Sequence, residues 1–236
     1  MAKNDEELLL KQNGKIKPKS IVKPILFIIL LWLIYRLCSN AKESLFSIFY
    51  FVLIIVNTVT VSVLMDPELI NERANIAENT KNGDIFYALI VGRIGPLLII
   101  VISGLDARFH WTQAYGASIK VEALIIMIAA LVFTDWAVIT NRYFSGVVRI
   151  QKERGHKVIS EGPYRYVRHP GYLGAILSNL VTPLILNSIV GIIPAIIVIY
   201  LTLVRTIKED DYLKKELDGY KDYSEKTKYR LVPYIW

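Results

Sequence analysis

Apolar residues in this chain come in long runs rather than in stripes. Ile21–Cys38 and Leu45–Met65 are nearly unbroken, the second interrupted only by Asn57 and small hydroxyls. Ile85–Leu105 and Ser118–Thr140 follow, and two shorter runs, Gly171–Asn187 and Ile189–Val204, meet at Asn187-Ser188. A helix needs about 20 apolar residues to cross a bilayer, so the four long runs predict spanning helices. The short pair predicts a tight helical hairpin. Its arms are interrupted by Asn179, Thr182 and Pro183 on one side and Gly191 and Pro194 on the other, which suits helices packed inside the protein. From Arg205 to Tyr220 the pattern changes: Leu213 and Leu217 recur at a helical interval among charged residues. The expected fold is an all-α integral membrane protein with about six transmembrane helices, including a C-terminal helical hairpin, plus a cytoplasmic amphipathic C-terminal helix. Asp66-Pro67 is expected to stop the second span ahead of a charged connector, Pro67–Asp84. Residues Tyr229–Trp236 read as a strap lying on the membrane interface.

Charge orients this arrangement. Of 28 Lys and Arg, six fall in 1–23, seven in 141–170 and eight in 205–236. With six spans these segments share one side, and the positive-inside rule makes that side, with both termini, cytoplasmic. The membrane would be the cell (inner) membrane in a prokaryote and the endoplasmic reticulum in a eukaryote. The formal charge of +7 therefore reflects topology, and no nucleic-acid partner is expected. A single cysteine, Cys38, excludes an internal disulfide, and His110, His156 and His169 show no metal-ligand spacing. No cleavable signal is evident ahead of Ile21. No P-loop, GxGxxG or Ser-His-Asp spacing is present.

The stretch Gly162–Gly174, GPYRYVRHPGYLG, fits neither the loop before it nor the apolar run after it. Gly162-Pro163 and Pro170-Gly171 force turns at fixed points, holding Tyr, Arg and His side chains on a constrained backbone. On composition alone this is either a basic, aromatic collar at the membrane surface or a binding site. Beyond the hairpin, Arg205 and Glu209 are four apart on one helix face. They form either an ordinary ion pair or a two-pronged site for an anionic group and a polar or cationic ligand. Arg93 lies within the third run; it is either paired with Asp106, Glu122 or Asp135, or functional.

GPYRYVRHPGYLG, with HKVISEGPY at His156–Tyr164 upstream and RTIKEDDYL at Arg205–Leu213 and GYKDY at Gly219–Tyr223 downstream, resembles the signature of the isoprenylcysteine carboxyl methyltransferase and phospholipid methyltransferase superfamily. DPELINERA at Asp66–Ala74 and GLDARFHW at Gly104–Trp111 resemble a prokaryotic-type subgroup of it. The resemblance implies an S-adenosylmethionine-dependent methyltransferase with a polar tail (1–20), a four-helix transmembrane region (21–140) and a catalytic region (141–236). By position, His156, Lys157, Val158 and Ile159 would contact the nucleoside, with Tyr164 beside them. His169, Pro170, Gly171 and Tyr172 would line the remainder, and Glu209 would hold the donor's polar groups. Gln151 would match a family glutamine. Arg205 would orient the substrate, and with Glu209 forms the expected catalytic pair. Asp210 stands where many relatives carry a second Glu.

Aromatic faces at Tyr164, Tyr166 and Tyr172 would suit a sulfonium. The expected acceptor is the carboxylate of a lipophilic, prenylcysteine-like substrate, whose methylation needs positioning and desolvation rather than a general base. N-methylation of a phospholipid or other small amphiphile is the alternative, with His169 the evident base. The alternative from another class is a non-catalytic lipid-binding membrane protein. Expected partners are the lipophilic or prenylated substrate and membrane lipid, with no metal.

Overall fold

A computed structural model describes residues 18–41, 44–74 and 84–236, and within them all regular structure is helical. Most of the expected polar tail and part of the charged connector lie outside the described residues. Helix α1 (Pro18–Cys38) packs beside α2 (Leu45–Leu64). Ser44 starts α2 with a reciprocal capping box: its hydroxyl accepts from the Ser47 N–H (3.2 Å), and the Ser47 hydroxyl accepts from the Ser44 N–H (3.1 Å). Ile28, Leu31 and Tyr35 of α1 bury against Phe51, while Leu26, Leu30, Leu33 and Leu37 stay exposed. A helix apolar on its outer face as well as its inner one is suited to lipid.

Asp66-Pro67 does end α2, but it also begins a helix. Asp66 accepts a hydrogen bond from the Glu68 N–H (2.8 Å), and α3 runs over Pro67–Ala74 inside the supposed connector. An acidic N-cap followed by Pro at the first helical position favours helix entry, so the same two residues carried both messages. Next come α4 (Asp84–Leu89), a π turn (Ile90–Ile94) and α5 (Gly95–Phe109), continuous over 26 residues. Helix α6 (Ala117–Thr140) leads into the long loop, which holds two short 3-10 turns, Lys152–Arg154 and Gly162–Arg165. The chain ends with α7 (Pro170–Ile185), α8 (Ile192–Glu216) and α9 (Tyr220–Lys226).

Among the described residues, four helical segments are long and apolar enough to cross a membrane: Ile21–Cys38, Leu45–Leu64, Asp84–Phe109 and Ala117–Thr140. The hairpin forms as expected, but α7 has only 16 residues and α8 is apolar only in its first half. Helix α8 runs unbroken through the point where the hairpin arm and the amphipathic helix were expected to be separate. No Gly or Pro interrupts it between Pro194 and Gly219. Asn187 takes the left-handed conformation at the hairpin turn (φ 58°). The Ser188 hydroxyl donates to buried Asp106 (2.6 Å), which also accepts from the N–H and O–H of Thr112 (2.6 Å each).

The most extensive helix pairing is α6 with α7, and Gly174 makes it so close. A Cβ there would clash with Thr134 Oγ1 and stand 2.8 Å from the Ala130 carbonyl. This contact fixes the start of α7, and with it the Gly162–Gly174 stretch, against the end of α6.

Candidate active site

A cavity of about 770 Å³ opens among the long loop, α4 and the π turn after it, the start of α7, the C-terminal half of α8 and α9. Its loop wall is built from within. Gln151 is fully buried: its amide nitrogen donates to the Tyr143 carbonyl (2.9 Å) and its oxygen accepts from Arg154 Nη1 (2.6 Å). The Gln151 N–H donates to His156 Nδ1 (3.3 Å), and the His156 ring stacks on Tyr143 with centroids 4.4 Å apart. Burial, then the neighbouring Arg154 and Arg149 charges, push the His156 pKa down to about 4. The imidazole is therefore neutral at pH 7, with Nδ1 as the acceptor. Tyr164 donates its O–H to the Ala137 carbonyl (3.3 Å) and accepts from Asn141 (3.3 Å). Leu217, Tyr220 and Tyr223 pack beside Tyr164, and the Tyr223 O–H donates to the Tyr164 carbonyl (2.7 Å).

Behind the motif, Asp210 is fully buried and accepts hydrogen bonds from several directions. Arg168 grips it with Nε (2.7 Å) and Nη2 (2.8 Å), joined by Lys214 (2.9 Å), the Tyr220 O–H (3.0 Å) and Arg230 (3.0 Å). His169 Nε2 lies 3.2 Å from it. Burial alone would raise the Asp210 pKa; the bonds from His169, Arg168 and Lys214 overcome this and hold it far below the ordinary carboxylate range. Arg168 Nη1 also donates to the carbonyls of Thr227 and Lys228 (2.7 Å each), and the N–H groups of Arg168 and His169 donate to the carbonyls of Tyr229 and Arg230. The C-terminal segment, expected to lie along the membrane interface, thus runs beside the motif backbone. Leu231 is buried there, and Tyr234 and Ile235 remain exposed.

Arg205 and Glu209 share a helix face, but they do not pair. Arg205 gives Nε (3.0 Å) and Nη2 (2.9 Å) to Asp84, at the first turn of α4, and Nη2 also donates to the Gly146 carbonyl (2.8 Å). Asp84 further accepts from the Val148 N–H (2.7 Å), so one carboxylate ties α4, α8 and the loop together. Glu209 instead accepts from the Tyr172 O–H (2.5 Å). The Arg205 guanidinium lies over the Tyr172 ring at 5.6 Å.

Of the residues singled out in sequence, His156, Lys157, Val158, Ile159, Tyr164, His169, Pro170, Gly171, Tyr172, Arg205 and Glu209 all line this one cavity. Two depart. Gln151 does not line it, because both ends of its side-chain amide are spent holding the loop. Tyr166 is 61% exposed and also outside the lining, since the 3-10 turn at Gly162–Arg165 buries Tyr164 and turns Tyr166 outward. Arg93 pairs with none of its expected partners: Asp106 holds Ser188 and Thr112, and Asp135 accepts from Asn57 (3.3 Å). Sequence reasoning missed Asp84, Asn141, Tyr143 and Tyr220. Only Asp84 offered a local signal, as an acidic residue at the head of an apolar run. Among the described residues there is no cluster of His, Cys, Asp or Glu suited to a metal ion.

Residues 123–215 match the model of the isoprenylcysteine carboxyl methyltransferase (ICMT) family. A probable protein-S-isoprenylcysteine O-methyltransferase of Oryza sativa subsp. indica is 30% identical over 52% of this chain and 62% of its own length. Protein-S-isoprenylcysteine O-methyltransferase A of Arabidopsis thaliana is 27% identical over 54% and 62%, and the Schizosaccharomyces pombe enzyme of that name is 31% identical over 36% of each chain. The chain thus spans about three fifths of the plant relatives' length. The matched segment runs from within α6 to the end of α8 and carries the motif, the hairpin, Arg205 and Glu209. Over residues 123–215 the chain is thus similar to the isoprenylcysteine carboxyl methyltransferase family.

Proposed function

We propose that the cavity is the active site of an S-adenosylmethionine-dependent methyltransferase acting on the carboxylate of a lipophilic, isoprenylcysteine-like substrate. The observation that carries the reading is convergence: residues 156–159, 164, 169–172, 205 and 209, spread over 54 positions, line one cavity. Its volume is in the range of small-molecule sites. When bound, the donor supplies a methyl group on a positively charged sulfur. The residues suit such a group: the rings of Tyr164 and Tyr172 line the cavity and attract a cation, and Glu209 offers carboxylate oxygen beyond the one engaged by Tyr172. The backbone of 156–159 offers polar groups to a nucleoside.

For the acceptor, the chain's contribution is orientation and exclusion of water. A carboxylate is already ionised at neutral pH, so no side chain has to remove a proton. Arg205, held rigid by Asp84, keeps Nη1 unspent among the described residues. His169, the base that N-methylation would need, has Nε2 within reach of Asp210 (3.2 Å) and the Tyr220 hydroxyl (3.4 Å). The charge distribution supports a multi-pass orientation with both termini and the loop cytoplasmic, and a hairpin inserted from that side.

The test is transfer of label from methyl-labelled S-adenosylmethionine to an S-farnesylated N-acetylcysteine by protein reconstituted in vesicles. A carboxyl methyl ester releases its label as methanol in base. Base-stable label in phospholipid headgroups would replace this reading with N-methylation, and absence of transfer to either would refute both.

A further inference from the structure

Arg93 stands in the π turn between α4 and α5, nine residues beyond Asp84 in one continuous helical segment. At about 1.5 Å per residue this carries it roughly 13 Å further into the apolar span than the Asp84–Arg205 pair. The turn has a local cause. Pro96 has no N–H to return to the preceding turn, and a Cβ at Gly95 would clash with Val198 of α8. The backbone widens here, the Gly95 N–H returning to the Ile90 carbonyl five residues back, and such turns are common at functional sites. Val91 is buried by this geometry, while Arg93 lines the same cavity as Glu209 and Tyr172.

Among the described residues Arg93 has no hydrogen-bond or ion-pair partner, although its two neighbours in the role of cation are engaged. Arg205 is forked onto Asp84 through Nε and Nη2, with only Nη1 left over, and Arg168 is forked onto Asp210. A guanidinium inside an apolar span is costly unless it meets an anion or water, and a planar fork is the natural partner of a carboxylate. We propose that Arg93 binds the anionic group of the lipophilic acceptor and selects acids over neutral lipids. The acceptor's apolar chain then lies along the membrane-spanning part of the cavity, and its head is turned toward Glu209 and Tyr172. The inference rests on the methyltransferase reading above for the identity of that acceptor.

The experiment uses full-length protein in nanodiscs and follows binding of S-farnesylated N-acetylcysteine and of its uncharged carboxamide, with S-adenosylhomocysteine titrated in parallel. Wild type is expected to prefer the acid. Arg93→Gln should weaken the acid by about ten- to a hundredfold, the range of a charged hydrogen-bonded contact, and leave the carboxamide and S-adenosylhomocysteine unchanged. Arg93→Lys should recover part of the loss. Unchanged acid binding by Arg93→Gln would overturn the assignment while leaving the methyltransferase reading intact. Equal weakening of S-adenosylhomocysteine would overturn it in favour of a donor-site or structural role. A wild type that binds S-adenosylhomocysteine but neither farnesyl compound would overturn the acceptor reading and the role of Arg93 with it, and a wild type that binds none of the three would remove the donor site as well.

Discussion

Replacing Asp210 by Ala removes the acceptor around which the motif and the C-terminal segment are assembled. Three cations lose their counter-charge, unequally. Lys214 and Arg230 are 32% and 26% exposed and can turn to water, so each costs little. Arg168 is 4% exposed and cannot. Leaving one buried charge uncompensated costs about 3–5 kcal/mol, which for a chain of this size lowers the unfolding midpoint by roughly 10 °C. Thermal unfolding of detergent-purified protein measures this, with limited proteolysis reporting release of the segment after Lys226. Asp210→Glu retains the charge and should lose much less. A midpoint for Asp210→Ala within about 1 °C of wild type would refute the role assigned to this cluster.

A double-mutant cycle tests the other anchor: Asp84→Ala and Arg205→Ala should show coupling of at least about 1 kcal/mol in unfolding free energy, whereas additivity would mean that the pair does not hold α4 to α8. Arg205→Ala should also slow methyl transfer while largely sparing S-adenosylhomocysteine affinity; normal turnover by that variant would remove its orienting role. The fold should weaken as pH falls from about 6.5 toward 4. His156 has a folded pKa near 4, below the unfolded value, so the unfolded chain binds the extra proton in that window. Asp210 adds little above about pH 5, since its depressed pKa makes itself felt only as the unfolded carboxylate begins to take up protons. Unfolding midpoints at pH 7 and pH 5 should therefore differ less in His156→Phe than in wild type, and an equal difference would contradict a buried neutral imidazole.

Much of this architecture was legible because it depends on local composition. An apolar run such as Leu45–Leu64 can hardly be anything but a helix of spanning length, and Pro170 begins α7 where Pro-Gly punctuation marked a turn. That residues 156–159, 164, 169–172, 205 and 209 belong together was legible through the motif, which groups them without saying what each one touches. What remained hidden depends on contacts between distant positions. Arg205 was read beside Glu209, four residues away, yet its partner is Asp84, 121 residues away. Asp210 was read as a substitution within a motif, whereas it is the buried centre joining Arg168 to the C-terminal segment. The π turn at Arg93 ends at Gly95, where α8 comes close, a packing fact with no periodicity to announce it.

On the reading proposed above, the cavity holds a methyl donor against Glu209. Calorimetric titration of S-adenosylhomocysteine into the purified protein, wild type beside Glu209→Ala, addresses it most directly. Saturable binding by wild type, weakened about tenfold or more by the substitution, is the predicted result. A folded wild type that takes up no S-adenosylhomocysteine would contradict the account.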